Sequence, residues 1–216
     1  MLGELFNNPF AFLSWALSLI IAITIHEFSH ALAADRLGDP TPRVQGRLTL
    51  NPLAHLDLFG TIMLLVARFG WGKPVVFDPF NLRHPRRDTA IISFAGPVSN
   101  ILLATLLSIL LRLLLTTQGA MISYIIIQPI IIMNVFLAIF NLVPIHPLDG
   151  FKIVEGLLPR EYASQWHELE PYGMIFLLFM VFPLFGGTAP VSRVIMPVIQ
   201  FILGLLLPGS GSSGVV

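Results

Sequence analysis

Long uncharged apolar runs decide most of what this chain can become. Phe10 to Ile25 holds no charged residue, and similar runs extend from Thr89 to Leu111 and from Met121 to Ile145. A bilayer's hydrocarbon core is about 30 Å thick and takes about 20 apolar residues as a helix. With no water there to bond the backbone, each spanning segment must satisfy its own polar groups. The reading is an all-α polytopic membrane protein whose first span is Pro9 to Ala34. Two shorter candidates follow, Tyr172 to Phe185 and Val194 to Leu207, separated by the turn signal Gly186-Gly187-Thr188-Ala189-Pro190.

Of the 216 residues only 11% are charged, and mean hydropathy is +0.83, which excludes a soluble domain. The formal net charge is zero, so nothing suggests nucleic acid as a partner. The absence of cysteine excludes disulfides and thiolate zinc sites. The first run lacks a charged n-region and a small-residue cleavage site, so it reads as a retained span. Residues 209–216 are Gly/Ser-rich and read as a flexible tail behind one transmembrane domain, 1–208, whose core is about 9–158. There is no internal repeat.

Leu58 to Ala67 is apolar but only ten residues long, too short for an ordinary span. Charge argues that it dips in and returns. One side of the membrane then holds Arg36, Arg43, Arg47, Arg68, Lys73, Arg83, Arg86, Arg87, Lys152 and Arg160, against Arg112 and Arg193 on the other. The basic side is the cytoplasmic one. The expected element after the first span is therefore re-entrant or a short β-hairpin. Arg43 to Leu50 alternates partly with period two and is a candidate strand.

His26-Glu27-Phe28-Ser29-His30 is an H-E-x-x-H motif at the end of the first apolar run. Residues four apart share one helix face, so His26 and His30 can offer two imidazoles to one metal ion, with Glu27 beside them as a general base. A catalytic zinc takes a third protein ligand and a water. The extended pattern of soluble zincins fails, since Ala33 and Arg36 stand where Gly and His are needed. Asp149 ends an apolar run among Pro144, Pro147 and Gly150. Broken backbone at membrane depth is tolerated where it lines a cavity or is buried in protein, and a carboxylate there needs a partner such as a dication. Only an even number of crossings after His30 puts Asp149 at the depth of the histidines.

These motifs, together with Phe94-Ala-Gly-Pro-Val-Ser-Asn100 and Asn141-Leu-Val-Pro-Ile-His-Pro-Leu-Asp149-Gly150, resemble the site-2 protease family of intramembrane zinc metalloproteases. The likeness covers about Ile21 to Val154, that family's three-helix core, with no PDZ-like or CBS-like domain. It implies one zinc per chain on His26, His30 and Asp149, Glu27 as the base, and cleavage of a peptide bond in or near a transmembrane helix of a membrane-anchored protein. The partners are then a transmembrane substrate and the lipid bilayer. The expected location is a prokaryotic plasma membrane, with the site toward the cytoplasm. His146, two residues before Leu148, departs from the family pattern.

Blander readings exist for each residue. Asp149 can cap a helix starting near Gly150. Asn100 and Asn141 can donate to a substrate carbonyl or oxyanion, or bond between helices; Asn134 reads as structural. His146 is turned away by Pro147 and is not expected to be a ligand. His55 and Asp57 belong to the polar entry of the re-entrant segment, while His84 and His167 read as solvated. Trp15, Trp71 and Trp166 read as interfacial anchors. The competing function is a membrane metal-ion transporter using the His/Asp cluster as its transport site.

Overall fold

The structure is a computed structural model, and it describes residues 8–67, 70–115, 120–182 and 189–208. The helices are α1 (Pro9–Leu37), α2 (Thr41–Val44), α3 (Leu58–Ala67), α4 (Pro85–Leu114), α5 (Ala120–Asn141), α6 (Asp149–Leu157), α7 (Arg160–His167), α8 (Glu170–Val181) and α9 (Pro190–Leu206). No strand occurs among the described residues; an isolated bridge joins Leu56 and Gly72. Among the described residues three helices are long and apolar enough to cross a membrane: α1, α4 and Ser123–Asn141 of α5. Two shorter apolar helices, α8 and α9, lie where the sequence predicts further spans. Arg68, Gly186, Gly187 and the tail at 209–216 lie outside the described residues.

Helix α4 is the hub, packing against α1, α5 and α6. Close approach in lipid favours small residues at helix contacts. Ala22, Ala31 and Ala34 on α1, Ala104 on α4 and Ala138 on α5 have no exposed surface. The apolar core between α4, α5 and α9 is built from Ala104, Leu111, Ile131, Val135, Val191, Ile195 and Ile199. At the end of α4 remote from the motif, Ser108 donates to the carbonyl of Leu206, and Arg112 donates to those of Leu205 (2.9 Å) and Leu206 (3.2 Å). These bonds satisfy carbonyls that the C-terminus of α9 leaves open.

Helix α3 has the bounds expected of the re-entrant segment. Ten residues give about 15 Å of helix, half the hydrocarbon thickness. Asp57 starts it, accepting from Gly60 N at 2.8 Å. The segments that flank it meet where Lys73 N donates to His55 O at 2.7 Å beside the Leu56–Gly72 bridge. The strand expected at Arg43 to Leu50 is absent. Thr41–Val44 is a single helical turn, ended by Gly46 at φ 70°. Pro42 lacks the N–H a strand ladder needs. Asp39 Oδ1 instead takes Thr41 N at 3.0 Å and its hydroxyl at 2.6 Å, fixing the turn.

Candidate metal centre

Three donor atoms converge. Asp149 Oδ2 lies 3.0 Å from His26 Nε2 and 3.3 Å from His30 Nε2. The two imidazoles stand edge to face, 4.5 Å between ring centres. The motif sits on the buried face of α1, and Asp149 is delivered by the first turn of α6.

The face of α4 that meets them repeats every four residues. His30 Nδ1–H donates to Ile92 O at 2.7 Å, and His26 Nδ1–H donates to Asn100 Oδ1 at 2.7 Å. Gly96 lies between. A Cβ there would stand 2.6 Å from Cε1 of both histidines and 2.6 Å from His30 Nε2. Residues 92, 96 and 100 form one stripe of α4, matched against His30 and His26 of α1. Since Ile92 O can only accept, His30 carries a proton on Nδ1, which leaves Nε2 as the ring nitrogen directed at Asp149.

This donor set suits a dication. Asp149 Oδ2 is buried and has no hydrogen-bond partner. A buried carboxylate oxygen facing two imidazole nitrogens needs a positive charge between them, which a dication supplies. Zinc–ligand bonds of about 2.0–2.1 Å place tetrahedral donors roughly 3.3 Å apart, close to the separations found. His26, His30 and Asp149 form a metal-competent group within 4.8 Å of one another.

Glu27, half-buried next to His26, is held from the other side. Its Oε2 accepts from Val75 N at 2.9 Å. Val75 belongs to an irregular strap, 73–78, that sequence reasoning missed. The strap is anchored by Asp39, whose Oδ2 accepts from Asp78 N at 2.7 Å. It is also anchored by the buried Arg47, which donates to the carbonyls of Ala54, Lys73 (3.3 Å) and Pro74 (3.5 Å). Burial alone would raise the carboxyl of Asp39, but bonds from Thr41, Asn81 and Asp78 outweigh it and hold its pKa below the ordinary 3.8.

The remaining candidates fall elsewhere. Asn100 has no exposed surface, and its amide serves His26 and Ala22 O (3.0 Å), so it stands behind the cluster. Asn141, at the end of α5, donates back to Leu137 O at 3.0 Å. His146 turns to α8, with Nδ1 3.3 Å from Glu170 O; burial keeps its imidazole below the ordinary 6.5 against the pull of Glu170. Asp149 makes no side-chain cap on α6, so the capping reading fails. His55 is fully buried and donates from Nε2 to Thr49 O at 2.7 Å. His167 is not merely solvated, since Glu155 and Glu170 each lie 3.3 Å from its Nδ1. Trp166 binds Phe151 O at 3.0 Å and stacks on its ring, fastening α7 to α6.

Fold and site together define a helical membrane protein with a His-His-Asp metal group. The profile of peptidase family M50 matches residues 115–182, a stretch holding Asp149 but not the His-Glu-Phe-Ser-His motif. A Bacillus subtilis (strain 168) protein named "Putative zinc metalloprotease YwhC" is 41% identical over 175 residues, 78% of this chain and 80% of its own. A Mycobacterium tuberculosis (strain ATCC 25618 / H37Rv) protein named "Putative zinc metalloprotease Rip2" is 32% identical over 167 residues, 74% of this chain and 63% of its own. No solved structure matches. The chain belongs to peptidase family M50, the site-2 protease family, and is a membrane zinc metalloprotease.

Proposed function

We propose that this chain is an intramembrane endopeptidase that cuts a peptide bond within or near a transmembrane helix of a membrane-anchored protein. The observation that carries the reading is the convergence of Asp149 on the two histidines beside Glu27, at the buried end of a membrane-long helix. His26, His30 and Asp149 hold the zinc, which supplies Lewis acidity to a water and to the scissile carbonyl. Glu27 takes a proton from the attacking water and hands it to the departing nitrogen. Helix α4 contributes by fixing both imidazoles through their Nδ1 protons, which keeps each Nε2 directed at one point.

A helical substrate shields its own peptide bonds, so it must unwind locally before cleavage, and helix-breaking residues near the cut favour it. Strand-like pairing of the unwound segment with exposed backbone beside the site is a suitable mode. The strap at 73–78 supplies backbone that touches Glu27, through Val75 N. The domain is 1–208, and the site faces the cytoplasm of a prokaryotic plasma membrane, a reading supported by the basic residues at that end.

The test uses the purified protein in proteoliposomes with a single-span polypeptide carrying a glycine or proline near one end of its span. Mass spectrometry should find new termini inside that span, lost with a chelator and in Glu27→Gln. If no bond is cut while the same vesicles accumulate zinc down a gradient, the transporter reading replaces this one.

A further inference from the structure

The hydrogen bonds behind His26 do not stop at Asn100. Asn100 Nδ2 also donates to Asn134 Oδ1 on α5 at 2.8 Å, and Asn134 Nδ2 donates to Ile130 O at 2.8 Å. Neither asparagine has any exposed surface. The direction of this chain of bonds has one solution. Ile130 O and Ala22 O are backbone carbonyls and can only accept. Ile130 O therefore takes the Asn134 amide hydrogens, and the oxygen of Asn134 is left facing Asn100. Asn100 must then present its NH2 to Asn134 and to Ala22 O (3.0 Å), which leaves its oxygen for His26 Nδ1. Flipping either amide would set two donors or two acceptors against each other in a buried site, where an unmade bond is not replaced by water.

We infer that Asn134 is a positioning residue for the metal site, setting through Asn100 the tautomer and ring orientation in which His26 offers Nε2 to the zinc. A residue on the third long helix thus acts on a ligand carried by the first. An asparagine needed only to join α4 and α5 would be indifferent to which end of Asn100 faces His26. Here the two backbone anchors make the orientation obligatory. The inference rests on His26 being a zinc ligand, as proposed above.

The test measures Zn²⁺ affinity by chelator competition on the full chain in detergent, together with the d–d absorption of the Co²⁺-loaded protein. Outer-sphere partners of ligating histidines are typically worth about 10–100-fold in metal affinity. Asn134→Leu should weaken zinc at the lower end, about tenfold, and alter the Co²⁺ band. Because Asn134 acts through Asn100, Asn100→Leu/Asn134→Leu should bind no more weakly than Asn100→Leu alone. If Asn134→Leu does not fold, Asn134→Ala takes its place with the same expectation. Wild-type affinity and spectrum in the variant, or losses that multiply in the double variant, overturn the relay. His26→Ala separates the two ideas. Zinc lost there but unchanged in Asn134→Leu sinks the relay alone, whereas zinc kept in His26→Ala sinks the ligand assignment.

Discussion

Oδ2 of Asp149 lies 3.0 Å from Nε2 of His26, although two membrane-long helices, α4 and α5, separate them in the chain. The contact fixes the topology between them: α3 must return to the side it entered from. With the ligands proposed above, a bound metal would fasten α1 to α6. Asp149→Ala should therefore reduce zinc from about one per chain to near none, by elemental analysis in detergent. His146→Ala should leave zinc unchanged, since His146 faces Glu170. Equal zinc in wild type and Asp149→Ala would remove Asp149 from the site.

Glu27 touches the strap at Val75 and contributes no atom to the three-donor group. Glu27→Gln should keep zinc at the wild-type level and lower peptide-bond cleavage by at least about 10²-fold, the low end for a lost general base. The paired measurement is zinc content beside turnover on the single-span polypeptide. Substantial turnover in the variant would falsify the base assignment.

Gly96→Ala places a methyl group 2.6 Å from both imidazoles. Overpacking of this kind costs about 1–3 kcal/mol, and here the groups displaced are the ligands themselves. Zinc affinity should fall more than thermal stability does. The check is chelator competition beside a melting curve of the metal-free protein. A variant that melts early yet binds zinc normally would mean that the helices, and not the imidazoles, absorb the strain.

Arg47 is buried, has no carboxylate partner among the described residues, and is satisfied by backbone carbonyls at Ala54, Lys73 and Pro74. Arg47→Met should free the strap. Limited proteolysis should cut faster between Lys73 and Asp78, with zinc content unchanged. Unaltered proteolysis would show that Asp39 alone holds the strap.

Asp39 supplies the pH dependence of the same region. Its pKa is lowered in the fold, so its contribution is present above the ordinary 3.8 and is lost as pH falls through the folded value. Protection of the strap from an acid-active protease should decline below about pH 4. In Asp39→Asn the protection should be weaker at neutral pH and flatter across that window. A decline as steep in Asp39→Asn as in wild type would assign it to another group.

The long helices were legible because bilayer length and backbone hydrogen bonding leave a chain few choices, and α3 follows its apolar run residue for residue. The pairing of His26 with His30 was legible from helical spacing, and Asp149 from its isolation in an apolar run. What escaped notice depends on contacts between segments remote in sequence. Nothing local marks Gly96 as the place where two imidazoles come close. A glycine four residues before Asn100 on a spanning helix was the available signal. Arg43 to Leu50 misled because its period-two pattern is real, but Asp39 and the prolines around it close a turn first. Asn100 has two readings in the sequence, a donor to the substrate or a bond between helices, and only its two neighbours, Ala22 O and Asn134, select the second and show which way its amide points.

The stripe Ile92, Gly96, Asn100 carries one further consequence. Each member does a different job for the same pair of rings, and all three depend on lying one turn apart. Deleting or inserting a single residue between Gly96 and Asn100 would swing one end of the stripe by about 100° around the helix axis. The gap would still face the imidazoles while the acceptor for His26 pointed elsewhere. Helix α4 is thus more exposed to a change of register than to a change of side chain, and insertions and deletions in this protein belong in its loops.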